Sequence, residues 1–224
     1  MREIVFDTET TGFRPEEGDK LVEIGAVELI NHLPTGKVYH QYINPNREVP
    51  EDAYKVHGLN YEFLKDFPSF NDIAQEFLDF VDGGILIAHN ANFDMKFLQY
   101  ELKHGGFKQL DNEVIDTLQI ARNKFPGAKA SLDALVKRFN IGGFDRSYHG
   151  ALLDSQILAK VYLELIGGSA PTLEMETKET VKEVKESVSF SNKIFREARV
   201  FELSDAEKEA HEKLVAEKLK KEVW

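Results

Sequence analysis

A pair of acidic residues near the start of the chain carries the strongest chemical signal in the sequence. Asp7 and Glu9 are separated by one residue and follow the apolar run Ile4-Val5-Phe6. In a strand, residues two apart point to the same face, so both carboxylates would project together from the end of the strand. A hard divalent cation with oxygen ligands relieves their mutual repulsion. The sequence therefore predicts a metal site at this strand end.

Two later acidic residues are candidates for completing this site. Asp94 lies in the predicted first turn of a helix that follows a short buried strand, where an acidic residue could equally cap the helix. Asp154 lies about one and a half turns into the last predicted helix, and a buried carboxylate there needs partners. His149 precedes that helix. A solvated aspartate with a capping histidine is the alternative interpretation of this second pair.

Together, the four carboxylates and the histidine predict a site for two divalent cations. Such sites promote in-line displacement at phosphorus, because one ion lowers the pKa of the attacking water and the other stabilises the leaving oxygen. A neutral histidine, with an unperturbed pKa of about 6.5, can accept the proton of that water. The sequence contains no cysteine and no glycine-rich phosphate-binding loop. These patterns favour metal-dependent hydrolysis of a phosphate ester.

The predicted secondary structure places these residues on an α/β fold. Strands are predicted up to about Glu9 and over 21–30, 38–43, 85–88 and 114–115, with Gly36 in the turn before the third. Helices are predicted over 50–57, over 70–81 with Ser69 as the cap, from Asn90 or Asn92 to 104, and over 117–125, 131–139 and 150–166. The short links between the first three strands predict an antiparallel meander. The whole order predicts a mixed five-stranded sheet flanked by helices.

The composition indicates a globular protein. Of 224 residues, 42% are hydrophobic and 30% are charged, and there is no apolar run of the roughly 18 residues that a membrane-spanning helix needs. The N-terminus enters a predicted strand at once, which leaves no room for a signal peptide, and the absence of cysteine excludes disulfides. We therefore expect a cytoplasmic protein. The net charge of −11 argues against broad adhesion to duplex DNA, but not against an enzyme that reaches a nucleic-acid end through metal ions.

A change in composition divides the chain. Residues 1–168 form the predicted catalytic domain, in which 142–148 are a loop before the last helix. Residues 169–192 are rich in Glu and Lys and are predicted to be a flexible linker. Apolar residues return in 193–224, ahead of a charged helix and the terminal Trp224. This helical tail is predicted to fold on a partner; packing back onto the domain is the alternative.

Three motifs resemble those of a known enzyme family. Asp7-Thr8-Glu9-Thr10-Thr11-Gly12, Asn90-Ala91-Asn92-Phe93-Asp94 and His149-Gly150-Ala151-Leu152-Leu153-Asp154 are similar in order and spacing to the exonuclease motifs of the DEDDh 3′–5′ exonucleases. A sister group carries a tyrosine four residues before the last aspartate. That position is Gly150 here, and the histidine lies five residues before, as in the DEDDh group. The resemblance covers residues 1–168 and implies an RNase H-like fold.

The resemblance also implies a ligand arrangement. Two divalent metal ions, Mg²⁺ or Mn²⁺, would be the cofactors, with Asp7 bridging both. Glu9 and Asp154 would complete the ion on the nucleophile side, and Asp94 would act on the second, partly through water. His149 would be the general base, and the product would be a 5′-mononucleotide.

Further residues are implied as substrate contacts. These are Asp7, Glu9, Thr10, His57 and Phe93. The segment Val56-His57-Gly58-Leu59 is similar to a family segment that lies near the substrate. His57 could instead cap a helix end, and Phe93 could simply pack in the core.

Within this family, the chain is most similar to the proofreading, epsilon-type subunits of bacterial replicative DNA polymerases. The segment 199–224 resembles their polymerase-binding tail. This implies that the substrate is a single-stranded 3′ end of DNA and that the polymerase catalytic (alpha) subunit binds residues 193–224. A theta-like subunit and the sliding clamp are further candidate partners. Residues 169–175 lack the glutamine that begins a clamp-binding motif, which argues against the clamp.

Two other functions stay open at this point. A stand-alone ribonuclease or single-strand DNA exonuclease of the same fold would share the site, but it would not need the predicted linker and tail. A structural subunit that stabilises a polymerase would need the tail, but it would not need five site residues.

Overall fold

The computed structural model describes residues 1–143 and 149–167, which contain a five-stranded sheet in the order β3-β2-β1-β4-β5. The strands are β1 (Arg2–Thr10), β2 (Leu21–Ile30), β3 (Leu33–Tyr42), β4 (Ile85–Ala88) and β5 (Val114–Asp116). The first three pair antiparallel, whereas β4 runs parallel to β1 and β5 parallel to β4. The predicted meander and the predicted mixed sheet are therefore confirmed.

Helices cover both faces of this sheet. They are α1 (Glu51–His57), α2 (Tyr61–Leu64), α3 (Phe70–Val81), α4 (Ala91–Gly105), α5 (Thr117–Lys124), α6 (Leu132–Arg138) and α7 (Ala151–Ile166), with a 3₁₀ turn at Pro15–Glu17. The six predicted helices are present. The helix α2 and the 3₁₀ turn were not predicted, because elements this short show no periodicity of apolar residues.

Alternation along β1 divides the core into two layers. Ile4 and Phe6 belong to a buried cluster with residues of α3 and α4, whereas Val5 packs with Leu158 and Tyr162 of α7. Because residues two apart share a face, Asp7 and Glu9 continue the α7 face of the strand. The same rule places Thr8 on the opposite face.

The turn between β2 and β3 differs from the prediction. Asn31 and His32 form it with φ angles of 49° and 67°, the left-handed conformation that Asn tolerates well. Gly36 lies inside β3, where the pairing jumps from Leu29↔Pro34 to Val27↔Val38. Its φ of 85° suits this bulge rather than a turn. The predicted turn at Gly36 and the predicted strand start at residue 38 are therefore wrong.

Several predictions fall on residues outside the described ranges. These are the loop beyond residue 143, the linker 169–192 and the tail 193–224. Within the described ranges, no helix is long and apolar enough to cross a membrane.

Gly25 of β2 determines how closely α7 approaches the sheet. A Cβ atom at this position would overlap the backbone of Ala151 and Leu152. The hydroxyl of Ser155 donates a 2.7 Å hydrogen bond to the Gly25 carbonyl. Gly25 is also the cross-strand partner of Asp7. The missing side chain therefore lets the start of α7 lie directly beside the strand that carries Asp7.

Substitution Gly25→Ala should destabilise the protein, because the added methyl group forces the start of α7 away from β2. We expect the free energy of unfolding, measured by urea denaturation, to fall by about 1–3 kcal/mol. Gly142→Ala is the matched control, since its Cβ would meet nothing within 4 Å, and it should leave stability unchanged. Equal stability of the two variants would contradict the close contact.

Candidate active site

The strand-borne carboxylates lie at the end of β1. Asp7 is partly exposed, and Glu9 retains only 9% of its accessible surface. Their cross-strand partners on β2 are Gly25 and Glu23. The site therefore starts as a row of acidic groups on one face of the sheet, interrupted by a glycine.

Asp94 comes from the first turn of α4 and is nearly inaccessible to water, with 3% exposure. The Thr8 hydroxyl donates a 2.7 Å hydrogen bond to its Oδ1 atom. The turn before α4 is fixed by the backbone N–H of Asn90, which donates to the Asp116 carboxylate at 3.0 Å. An aspartate that only caps a helix is usually exposed to solvent, whereas Asp94 is buried. We therefore group Asp94 with the carboxylates of β1.

Asp154 and His149 approach from α7 and the segment before it. The Asp154 side chain is 3% exposed and that of His149 is 44% exposed, and His149 Nδ1 lies 3.0 Å from Asp154 Oδ2. Because a carboxylate only accepts, Nδ1 carries the proton in this pair. The backbone N–H of His149 donates to the Val56 carbonyl at 3.1 Å. His149 is thus held through both its backbone and its ring.

Ligand atoms of three residues converge. One atom each from Glu9, His149 and Asp154 lies within 4.8 Å of the other two. Two carboxylates and an imidazole so close together are a donor set that fits a divalent cation. Asp7 and Asp94 line the same cavity of about 220 Å³ as these three residues, so all five predicted residues meet there.

The pKa values of the carboxyl groups reflect their crowding. Removal from water raises the pKa of Asp7 well above its usual range, and the neighbouring carboxylates of Asp94, Glu9 and Asp154 raise it further. Burial also raises the pKa of Asp94 to about 7, although the hydrogen bond from Thr8 opposes the shift. Such shifts are expected where a cation is needed to compensate several buried negative charges.

A larger cavity of about 530 Å³ adjoins the carboxylates. It shares Thr8, Glu9 and Phe93 with the smaller cavity, and Thr10 and His57 also line it. This volume falls in the range of small-molecule sites. Four of the five predicted substrate contacts, Glu9, Thr10, His57 and Phe93, therefore line one space, and Asp7 lines the adjoining smaller cavity.

His57 ends α1 and is 5% exposed. Its Nδ1 atom accepts a 3.1 Å hydrogen bond from the backbone N–H of Leu59, so the helix-end capping that the sequence left open does occur. Burial lowers the pKa of His57, and the neutral ring must then carry its proton on Nε2. Nε2 is buried and has no hydrogen-bond partner among the described residues. The Thr10 backbone, which opposes this pKa shift, is the polar group beside Nε2 in the lining of the larger cavity.

Phe93 and Thr10 have structural contacts as well as cavity-facing positions. Phe93 is half-buried and packs against Phe97 at 5.2 Å and Phe13 at 6.2 Å between ring centroids. Thr10 donates a 2.6 Å hydrogen bond to the Gly12 carbonyl. Core packing and cavity lining are therefore compatible for Phe93.

Two acidic residues near the site were not predicted. The Asp19 carboxylate occupies the space that a Cβ of Gly12 would fill, and it accepts the backbone N–H of Arg14. Glu23, paired with Glu9 across the strands, is 3% exposed and lies 2.7 Å from His40 Nε2. A glutamate within the apolar run of β2 was the available signal for Glu23. Asp19 gave none, because polar residues are common in loops.

Comparison with known proteins gives consistent results. The RNase_T family model, described as exonuclease, matches residues 4–162. DNA polymerase III subunit epsilon of Rickettsia prowazekii is 52% identical over 182 residues, 80% of each chain. The corresponding subunit of Rickettsia felis is 44% identical over 224 residues, 98% of each chain. That of Salmonella typhimurium is 45% identical over 226 residues, 94% of this chain and 90% of the other.

Solved structures share the fold. Exonuclease X in complex with 5′ overhanging duplex DNA superposes with a TM-score of 0.58 at 26% identity, covering 74% of this chain and 90% of the other. The nuclease domain of 3′hExo, a DEDDh family member bound to rAMP, gives a TM-score of 0.64 at 19% identity, with coverage of 74% and 91%. The mixed sheet flanked by helices is thus the RNase H-like fold of these exonucleases.

Asp94→Asn should stabilise the metal-free protein in a pH-dependent way. Because the folded-state pKa is raised from 3.8 to about 7, the wild type has its full stability near pH 4 and loses stability as pH rises toward 7. The asparagine removes this loss and can still accept the Thr8 hydrogen bond. Urea denaturation in chelator should show a gain of roughly 1–4 kcal/mol at pH 8 that disappears toward pH 4. A gain independent of pH would contradict the raised pKa.

Proposed function

This chain belongs to the RNase_T exonuclease family and, within it, to the epsilon subunits of bacterial DNA polymerase III, and we propose that it is the 3′–5′ proofreading exonuclease of that polymerase. It hydrolyses mispaired 3′-terminal nucleotides of DNA to 5′-mononucleotides. The observation that carries the proposal is the convergence of Asp7, Glu9, Asp94, Asp154 and His149 on one cavity. Three separate parts of the chain supply these residues, and none of them would form this group alone.

The four carboxylates of Asp7, Glu9, Asp94 and Asp154 would hold two divalent cations, Mg²⁺ or Mn²⁺, beside the imidazole of His149. The fit rests on hard oxygen donors, on the raised pKa values of Asp7 and Asp94, and on the close group of Glu9, His149 and Asp154. When bound, such ions lower the pKa of a water molecule and neutralise charge on the leaving oxygen. By resemblance to the family, Asp7 would serve both ions, Glu9 and Asp154 would hold the one beside the nucleophile, and Asp94 would serve the second.

His149 acts as the general base. Its Nδ1–H donates to Asp154, which fixes the tautomer that has the lone pair on Nε2. This nitrogen takes a proton from the water whose oxygen forms a new bond to phosphorus. The bond from phosphorus to the 3′ oxygen of the penultimate nucleotide breaks, and the shortened strand keeps a 3′ hydroxyl.

The larger cavity receives the terminal nucleotide. Its volume of about 530 Å³ is adequate for one nucleotide, and the His57 ring lines it. Thr10 and the Phe93 ring contribute further walls. Only an unpaired end can leave its template to enter such a site, so a mispaired terminus enters more easily than a paired one.

The sequence supports a segment that binds a partner, and this segment lies outside the described residues. Residues 193–224 would bind the polymerase III alpha subunit through the predicted tail, and 169–192 would link it to the catalytic domain. A theta-like subunit is a further candidate, whereas the sliding clamp is disfavoured by the missing glutamine in 169–175. A subunit of the replicative polymerase works in the bacterial cytoplasm.

His149→Gln should reduce turnover strongly and substrate binding little, because glutamine can donate to Asp154 but cannot accept the proton of the water. With Mg²⁺ at pH 7.5, we expect the wild type to release 5′-mononucleotides from a labelled primer, faster at a mismatched end. In the variant, kcat should fall by about 10²- to 10⁴-fold.

Binding of the same primer, measured by fluorescence anisotropy in Ca²⁺, is the control for this variant and should change less than threefold. Unchanged kcat would remove the general-base role. Chelation of the metal should abolish release by the wild type. Faster trimming of RNA than of DNA would favour the stand-alone ribonuclease.

Deletion of residues 193–224 should separate catalysis from assembly. The truncated chain should release mononucleotides at the wild-type rate, since the five site residues precede the deletion. It should no longer co-elute with the polymerase alpha subunit in gel filtration, whereas the full-length chain should. Continued co-elution of the truncated chain would exclude this tail as the binding segment.

A further inference from the structure

Most basic residues in the first half of the chain are neutralised within the protein. Between Arg2 and Lys108, every lysine and arginine except Lys103 forms a salt bridge with a carboxylate. In an acidic protein with a net charge of −11, such pairing is expected. These cations are thus not available to an external anion.

The segment from α5 to α6 is an exception. Between Arg122 and Arg138, Asp133 is the single acidic residue, and the basic residues are Arg122, Lys124, Lys129, Lys137 and Arg138. All five are exposed. Within the described ranges, none of them forms a salt bridge with a carboxylate. We call these five residues the basic segment.

Two members of the basic segment have structural roles. Lys124 donates to the backbone carbonyls of Glu164 and Leu165 at the end of α7. The Arg138 guanidinium lies 4.4 Å from the centroid of the Phe125 ring. Arg122 and Lys129 have no such contact among the described residues. Their charges are therefore not needed to hold α5 and the following loop in place.

Arg122 and Lys129 lie next to the catalytic cavity. His89 and Leu132 line that cavity together with the carboxylates. Burial and the nearby Arg122 guanidinium lower the pKa of His89, whereas the Asp116 carboxylate and the Ala130 backbone raise it. His89 Nδ1 also lies 2.9 Å from the Thr117 hydroxyl at the start of α5, and Lys129 precedes Leu132 by three residues, so α5 and the following loop both reach the wall of this cavity.

We propose that Arg122 and Lys129 bind the phosphates of the single strand that leads into the active site, upstream of the scissile bond. This inference rests on the proposed function, because it assumes a DNA strand whose last phosphodiester lies at the carboxylates. Cations without internal partners, beside a site for a polyanion, release counterions when they contact phosphate. The contact does not read sequence, which suits an enzyme that must trim any 3′ end.

The two adjoining cavities give the direction of the strand. The terminal nucleotide occupies the larger cavity, on the side of Thr10 and His57. The scissile phosphate lies at the carboxylates of the smaller cavity, which His89 and Leu132 also line. The upstream nucleotides then leave past these two residues, toward the basic segment.

The double substitution Arg122→Gln/Lys129→Gln tests this assignment in the full-length chain with Mg²⁺. For a single-stranded oligonucleotide of about twelve nucleotides, we expect KM to rise about 5- to 20-fold. We also expect the slope of log(kcat/KM) against log[salt] to become shallower by about 1.4, because two phosphate contacts are lost. Hydrolysis of the 4-nitrophenyl ester of thymidine 5′-monophosphate, which has no upstream phosphate, should stay within twofold.

Lys103→Gln/Lys108→Gln is the matched control. It removes the same total charge near the far end of α4, where Lys103 lies about 20 Å along the helix from Asn90. Its KM and its salt slope for the oligonucleotide should stay within error of the wild type. Equal effects of the two variants would show a response to net charge only and would overturn the proposal.

Other outcomes would overturn either the phosphate contacts or the proposed function. An unchanged salt slope in Arg122→Gln/Lys129→Gln, with normal thermal unfolding, would overturn the phosphate contacts while the proposed function stands. Loss of ester hydrolysis would place these residues in the chemistry and would also overturn the proposal. If the wild type hydrolysed neither substrate, the proposed function would fail. Anisotropy of the labelled oligonucleotide in Ca²⁺ would then still show whether the two cations bind single strands.

Discussion

The burial of several carboxyl groups in one corner of the sheet is the constraint on which the rest of the structure depends. Burial and mutual repulsion raise the pKa of Asp7, and burial raises that of Asp94 to about 7. In the absence of cations, this arrangement opposes folding at neutral pH. Bound divalent cations would reverse the effect, and metal affinity and stability of the domain would then be linked through the same residues. The large apolar core on both faces of β1 keeps the carboxyl groups together despite their repulsion.

Close approach between backbone segments brings together the carboxyl groups and the imidazole of the site. The missing side chain of Gly25 lets α7 deliver Asp154 beside β1, and Thr8 ties α4 to the same strand through Asp94. The backbone of His149 bonds to the Val56 carbonyl, next to His57 in the wall of the nucleotide cavity. His149 and the wall of the larger cavity are therefore held by one another.

Local patterns predicted most of the fold, and they failed where two conformations compete locally. Ser69 and Asp72 form the capping box that starts α3, as the sequence indicated. The β2–β3 turn was misplaced because glycine is the more common turn residue, yet Asn31 tolerates positive φ and its N–H bonds to the Met1 carbonyl. Gly36 instead serves a bulge in β3. This choice depends on the pairing partner in β2, which sequence periodicity does not reveal.

The sequence by itself determined the chemistry: the residue types, the i, i+2 spacing of Asp7 and Glu9, and the three motifs with their family resemblance. The spacing was sufficient because strand geometry places such residues on one face whatever surrounds them. Only the tertiary structure decided that Asp154 reaches the same cavity as Asp7, that His57 lines the larger cavity, and that His89 and Leu132 join the carboxylates in the smaller one. These facts depend on contacts between segments far apart in the chain, where packing against other elements fixes the distance and local sequence preference has no influence.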